Sequence, residues 1–340
     1  ASRGSSSTNR RTCSSNSPSP LRAVGTSWRG GWGGEVQANS QQPRADSQSI
    51  PPEFLARIRR IEIRARRLVA NVFFGEYHSV FRGRGIEFSE VRQYEPGDDV
   101  RSIDWNVTAR MGAPYIKKYV EERQLTVLLV VDVSASSAFT STGTSKRDLA
   151  AEVAAMLAFA AVANNDRVGL IAFSDHVEEY VPPGKERRHV LRIIRELLYL
   201  QPQGRGTDIG AALSYLVRVT QRRAVVFLLS DFFDEGYEPQ LRAAAVRHEI
   251  VALTLNDPRE DELPDVGLLD LQDAETGARI VVDTSDRAVR DAYARRAAEA
   301  RGRRRRSFAA AGVEEIELRT GQPYVQPLLR AFRARERRRA

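Results

Sequence analysis

Cysteine is almost missing from this 340-residue chain. Cys13 stands alone, which excludes an internal disulfide and a thiolate zinc cage. Long apolar runs are missing too. The longest candidate, 125–131, is strand-sized and far short of the roughly 18–20 residues that span a bilayer. No GxxxxGK[ST] occurs, so a P-loop nucleotidase is excluded, and no GxSxG elbow marks a serine hydrolase. The four histidines, His78, His176, His189 and His248, show no HxxxH or HExxH spacing and are expected to be structural or surface groups. The N-terminal stretch has no apolar core of the secretory kind, so a cytosolic location is expected.

Charge is present but unevenly placed. The net +8 comes from the ends: residues 1–52 hold six Arg against two acids, and residues 295–340 fourteen Arg against five Glu. The stretch between them is mildly acidic. The run Arg303–Arg306 sits in an Ala/Arg-rich helical pattern without interleaved aromatics, so a solvated helix face is expected there and nucleic-acid binding is not.

Residues 1–52, rich in Ser, Gly, Arg and Gln, have too little apolar surface to offset the entropy of ordering and are predicted to be a disordered leader. Apolar residues recur at helical spacing from Glu53 to about Tyr77. The Gly-, Asp- and Glu-dense stretch 83–106 reads as short strands and tight loops, followed by a strand near 115–120. Residues 53–122 are therefore taken as a helix plus a small β-rich segment, and 123–340 as an α/β domain with a helical C-terminal extension. In the latter, LTVLLVV, RVGLIAF, AVVFLLS and EIVALTL are buried strands of parallel type, apolar without alternation. Helices are predicted over 146–163, 187–200, after Thr207, near 239–247, over 287–311 and from Val325. Strands alternating with helices of this length predict a doubly wound, mostly parallel sheet.

In such a sheet, ligands bind beyond the carboxyl ends of the strands, at the switch in strand order. One strand ends in Asp132-Val133-Ser134-Ala135-Ser136 and another in Ser230-Asp231, while Thr207 and Asp208 precede a helix. Two carboxylates and three hydroxyls form an all-oxygen set, suited to Mg²⁺, Mn²⁺ or Ca²⁺ rather than to zinc or copper. With only two formal charges around it, such an ion stays electrophilic and can accept a carboxylate from another molecule.

DxSxS, then a Thr, then an Asp, each behind its own strand or loop, resembles the metal-ion-dependent adhesion site of von Willebrand factor A domains. Residue by residue, the match is Asp132, Ser134 and Ser136 in the first loop, Thr207 in the second and Asp231 in the third. More widely, GRGIEF, YEPGDDVRSIDW, KRDLAAEVAAMLAFAA, DRVGLIAFSD, GTDIGAAL, SDFFD, DPREDELPDVG and the ETG at Glu275 are similar to the bacterial domain-of-unknown-function 58 family, over roughly 53–338. That resemblance implies a von Willebrand A-like fold and work with a MoxR-type AAA+ ATPase, chaperone-like or in metal-cofactor assembly. Relatives often carry two N-terminal membrane helices, and no such run occurs in these 340 residues.

The expected function is therefore a metal-dependent protein-interaction module, not an enzyme, with a partner Asp or Glu completing the metal site. The alternative is a Mg²⁺-dependent hydrolase using the same cluster. An aspartyl-phosphate mechanism lacks its second acid, because Ser134 stands two residues after Asp132. Asp208 is expected to cap a helix and Asp234 to face solvent. The charges Glu87, Asp98, Asp99, Arg101 and Asp104 either form a docking surface or, as expected here, an internal network holding irregular loops. Trp105 is expected to be a core anchor.

Overall fold

A computed structural model describes residues 24–25, 52–70, 77, 85–122 and 124–339. The expected leader and His78 lie outside these residues, apart from a two-residue strand, β1 (Val24–Gly25). The elements that follow are α1 (Pro52–Leu68), β2 (Gly85–Gln93), α2 (Trp105–Met111), β3 (Tyr115–Glu122), β4 (Thr126–Asp132) and α3 (Lys146–Ala163). Next come β5 (Arg167–Phe173), β6 (Val177–Gly184), α4 (Arg187–Tyr199), α5 (Ile209–Val219), β7 (Val225–Ser230), α6 (Glu238–Arg247) and β8 (Glu249–Asn256). The chain continues through α7 (Pro258–Asp261), β9 (Leu268–Asp273), β10 (Arg279–Asp283), α8 (Arg287–Ala311), β11 (Glu314–Arg319) and α9 (Val325–Arg339).

Six strands form one sheet in the order β11-β8-β7-β4-β5-β6, parallel throughout except for β6. The apolar runs of β4, β5, β7 and β8 are unbroken because both faces are covered. Val127, Leu129 and Val131 of β4 point to one core, which also holds Ile58, Ile61 and Ala65 of α1, most of α3 and Leu328 and Phe332 of α9. Leu128 and Val130 point to the other, with Leu213 of α5, Leu241 of α6 and Phe308 of α8. The chain runs outward from β4 to β5 and β6, then returns to β7 on the far side of β4. The switch point therefore lies between β4 and β7.

α3 begins where its sequence dictates. The Ser145 hydroxyl accepts the Asp148 N–H, and the Asp148 carboxylate accepts the Ser145 N–H, a capping box. β2 and β3 pair antiparallel with an irregularity between Phe88 and Glu90. β9 and β10 form a hairpin outside the main sheet, and β1 pairs with β9. Among the described residues, no helix is long and apolar enough to cross a membrane.

α1 is described over Pro52–Leu68 with a wider turn at 69–70, Tyr77 is helical, and 71–76 of the expected helical stretch lie outside the described residues. Two expectations are corrected. Trp105 is 69 % exposed, because it opens a seven-residue helix with no buried position to anchor. The basic face of α8 is not merely solvated: buried Arg304 donates to Glu315 (2.8 Å), Arg305 to Glu317 (3.1 Å), and Arg301 pairs with Asp261. Acids of β11 and α7 thus pair with three of its nine arginines.

Candidate metal centre

Asp132 ends β4 and Ser230 ends β7, with Asp231 just beyond, on either side of the switch point. Asp132 is fixed from both loops: the Ser134 N–H donates to Oδ1 (2.9 Å) and the Ser230 hydroxyl to Oδ2 (2.7 Å). A 3₁₀ turn at Ala135–Ala138 folds the first loop back, leaving Ser134 Oγ 3.0 Å from Ser136 Oγ. Ser136 Oγ in turn donates to Asp231 Oδ2 (3.0 Å). Behind Asp231 the backbone turns through Phe232 at φ 58°, a left-handed conformation that costs a non-glycine residue about 1 kcal/mol or more. The turn is held by Ser230 Oγ on the Phe232 N–H and Asp231 Oδ1 on the Phe233 N–H. Asp132, Ser134, Ser136 and Asp231 thus meet in one buried cluster.

Thr207 is placed differently. It is buried, but its hydroxyl donates to Glu275 Oε1 of the β9–β10 turn (2.9 Å). Its loop hangs from the end of β5. The Asp208 N–H donates to the Ser174 carbonyl (2.8 Å), and Glu178 Oε1 accepts the Gly204 N–H (2.8 Å) and the Ser174 hydroxyl (2.5 Å). A β-carbon on Gly204 would overlap Ser174 Oγ and Asp175 Oδ1. Gly204→Ala should therefore shift the loop that carries Thr207 and lower stability by about 1–3 kcal/mol, as overpacking does; urea unfolding gives the value, and a loss below about 0.3 kcal/mol would show that the loop yields freely.

Two residues that sequence reasoning missed complete the electrostatics. Lys146, at the first turn of α3, is almost fully buried, and its ammonium lies 2.6 Å from Asp231 Oδ2 and 2.5 Å from Glu260 Oε1. A lysine at a helix N-terminus opposes the helix dipole, which is the one local sign that it answers to something outside its helix. Glu260 is held in turn by the Asp257 N–H (2.8 Å) in the capping box that starts α7. Burial disfavours the Lys146 charge, but Asp231 and Glu260 more than compensate and keep it protonated. Burial would likewise raise Asp231; the Lys146 ammonium wins and holds it below the usual carboxylate range. Glu260 is pushed up to about 7, by burial first, against the pull of Lys146. Among the described residues, Asp132 is bonded by the Ser134 N–H and the Ser230 hydroxyl and by no cation. Burial, and then the Asp231 charge, raise it to about 7 despite the hydroxyls and N–H bonded to it.

With all three acids ionised, one ammonium leaves the cluster two negative charges in excess, and its donors are hard oxygens. The residues fit a small divalent cation. Among the described residues, no three His, Cys, Asp or Glu side chains converge as a metal cage, so hydroxyls would have to share the coordination.

The neighbouring acids have structural roles. Asp208 caps α5 by accepting the Ala211 N–H (2.7 Å). Asp234 does not face solvent as expected; it is half-buried and accepts the Ile209 N–H at the same helix start (2.8 Å). In the Gly- and Asp-rich segment, Asp98 accepts from Glu95 N–H and Arg92 (2.9 and 2.7 Å), which lowers its pKa, while Asp99 and Asp104 cap the turns that follow them. Asp98, Asp99 and Asp104 of the expected network thus hold turns, while Arg101 contributes its backbone N–H and the Glu87 side chain lies outside those described. His248 is buried with neither ring nitrogen bonded, and burial lowers its pKa, consistent with a neutral structural group.

A doubly wound α/β domain with a polar cluster at its switch point is the class of protein these features define. Residues 90–303 match the family described as "Protein of unknown function DUF58", and the chain belongs to that family. It is 36% identical over 290 residues, 84% of this chain and 91% of the relative, to "Uncharacterized protein Rv1480" of Mycobacterium tuberculosis (strain ATCC 25618 / H37Rv). Among solved structures it is similar to the conserved hypothetical protein BatB from Bacteroides thetaiotaomicron (TM-score 0.42, 16% identity, 63% of this chain and 99% of that one). A further similarity is to proximal thread matrix protein 1 from the mussel byssus with a zinc-occupied MIDAS motif (TM-score 0.31, 14% identity, 39% and 38% of the two chains).

Proposed function

We propose that the chain is a protein-interaction module whose cluster holds a divalent cation, Mg²⁺ or else Mn²⁺ or Ca²⁺, in the manner of the adhesion site of von Willebrand A domains. The observation that carries this reading is the buried Asp132 carboxylate, set beside Asp231 at the switch point with no cation bonded to it among the described residues. Asp132, Ser134 and Ser136 hold the ion from the first loop, and Asp231 and Thr207 do so directly or through water. When bound, the ion supplies an electrophilic centre that accepts a carboxylate. In this reading that carboxylate is an Asp or Glu of a partner, a MoxR-type AAA+ ATPase, and the work is chaperone-like or complex assembly. The chain's own residues then bind and orient; none is assigned a bond-breaking step.

The test is complex formation between the purified chain and such an ATPase in Mg²⁺, in EDTA, and with Asp132→Ala. A complex that forms only for the wild type in Mg²⁺ is expected. One equally strong in EDTA would overturn the reading, and circular dichroism of the variant separates a lost site from a lost fold.

A further inference from the structure

The β9–β10 hairpin lies outside the six-stranded sheet, pairing from Gln272↔Arg279 to Leu268↔Asp283 between α7 and α8. Its turn is built to aim one side chain. Asp273 Oδ1 accepts the N–H groups of Glu275 (2.9 Å) and Thr276 (3.4 Å), and Oδ2 accepts the Thr276 hydroxyl (2.8 Å). Gly277, at φ 72°, closes the turn by donating to the Asp273 carbonyl (2.9 Å). The Glu275 carboxylate so directed lies against the loop that carries Thr207. Oε1 takes the Thr207 hydroxyl, and Oε2 lies 3.7 Å from where a β-carbon on Gly206 would stand.

Three facts meet here. Thr207 is bonded to Glu275 and not to the Asp132–Asp231 cluster. All five site residues are 8 % exposed or less, so they offer an outside acid little surface in this arrangement. The group on Thr207 has the chemistry asked of a partner: a carboxylate, delivered on a braced turn.

We propose that Glu275 is the site's own acidic ligand. Carried in cis by the β9–β10 turn, it takes the place that the proposed function gives to a partner's Asp or Glu, and an acidic partner engages by displacing it. The proposal rests on the divalent-cation reading above.

Mn²⁺ alone serves as the probe, with the full chain as wild type, Glu275→Gln and Asp132→Ala. Free Mn²⁺ is followed by its electron paramagnetic resonance signal, and water access to bound Mn²⁺ by water-proton relaxation. Glutamine keeps an oxygen that can accept from Thr207, so a merely structural hydrogen bond survives the change. Glu275→Gln is expected to weaken Mn²⁺ on the order of tenfold, the lower end of what a supporting residue of a metal site contributes. It should also raise the relaxation enhancement per bound ion, and added acetate should then lower it, while wild type ignores acetate. Unchanged affinity, enhancement and acetate response in Glu275→Gln, with Asp132→Ala still abolishing binding, would overturn this proposal and leave the cation reading standing. Wild type that takes up no Mn²⁺ would overturn both.

Discussion

Lys146→Met is expected to destabilise the protein by about 3–5 kcal/mol at pH 7, the usual cost of removing one partner from a buried ion pair. Methionine fills much of the same volume, so the loss is electrostatic and not a cavity effect. What remains is two buried carboxylates, Asp231 and Glu260, whose shared ammonium is gone. Two further results separate this cause from a packing fault. The deficit should shrink below about pH 5, where both acids take protons in the folded state and leave no unpaired charge. Glu260→Gln in the Lys146→Met background should recover part of the loss, because one of the stranded charges is removed. Urea unfolding at pH 5 and pH 8 measures both. A Lys146→Met protein within 1 kcal/mol of wild type would mean that the ammonium is not the counter-charge of this cluster.

A second large effect is predicted for Asp132→Asn, with opposite signs for stability and for metal. The folded Asp132 carboxyl titrates near 7, against an ordinary value of 3.8. Between these values the folded chain keeps a proton that the unfolded chain releases, so metal-free stability falls as pH rises from about 4 to 7 and is flat beyond. At about 1.4 kcal/mol per pH unit the ceiling is roughly 4 kcal/mol. Glu260, also raised to about 7, adds a decline of the same sign that the variant does not remove. Asp132→Asn, carrying no charge to desolvate, should be more stable than wild type in EDTA at pH 8 and no different at pH 4. In Mg²⁺ at pH 8 the order should reverse, since wild type gains binding energy that the variant has lost. Thermal melts in EDTA and in Mg²⁺ at the two pH values decide it. A wild type indifferent to both pH and Mg²⁺ would contradict the picture of an uncompensated carboxylate.

The parts of the fold that were legible in sequence are those whose pattern is local. β4, β5, β7 and β8 are continuous apolar runs because each is buried on both faces, and the run length marks the strand. α3 begins and ends where predicted, because Ser145 and Asp148 cap its start and Asn165 adopts a left-handed φ of 62° beyond its end. α2 was not legible: Asp104 caps only seven residues, none buried, so no apolar period announces a helix. Trp105 misled for the same reason, since its hydrophobicity has no counterpart in the packing around it.

The candidate site divides along the same line. By itself the sequence determined which oxygen donors exist and that Asp132, Ser134 and Ser136 share one loop, because spacing within a loop is set by the covalent chain. It also determined that Asp231 follows a buried strand, and so that it stands at a strand's carboxyl end. Only the tertiary structure decided that Lys146 answers to Glu260 across 114 positions, and that Thr207 meets Glu275 across 68. Those contacts depend on the order in which strands hydrogen-bond and on where α7 and the β9–β10 turn pack. Periodicity carries no record of either. A side chain's charge state in a buried cluster follows from its neighbours through space, and for Asp132, Lys146 and Glu260 the charged neighbours come from other segments of the chain.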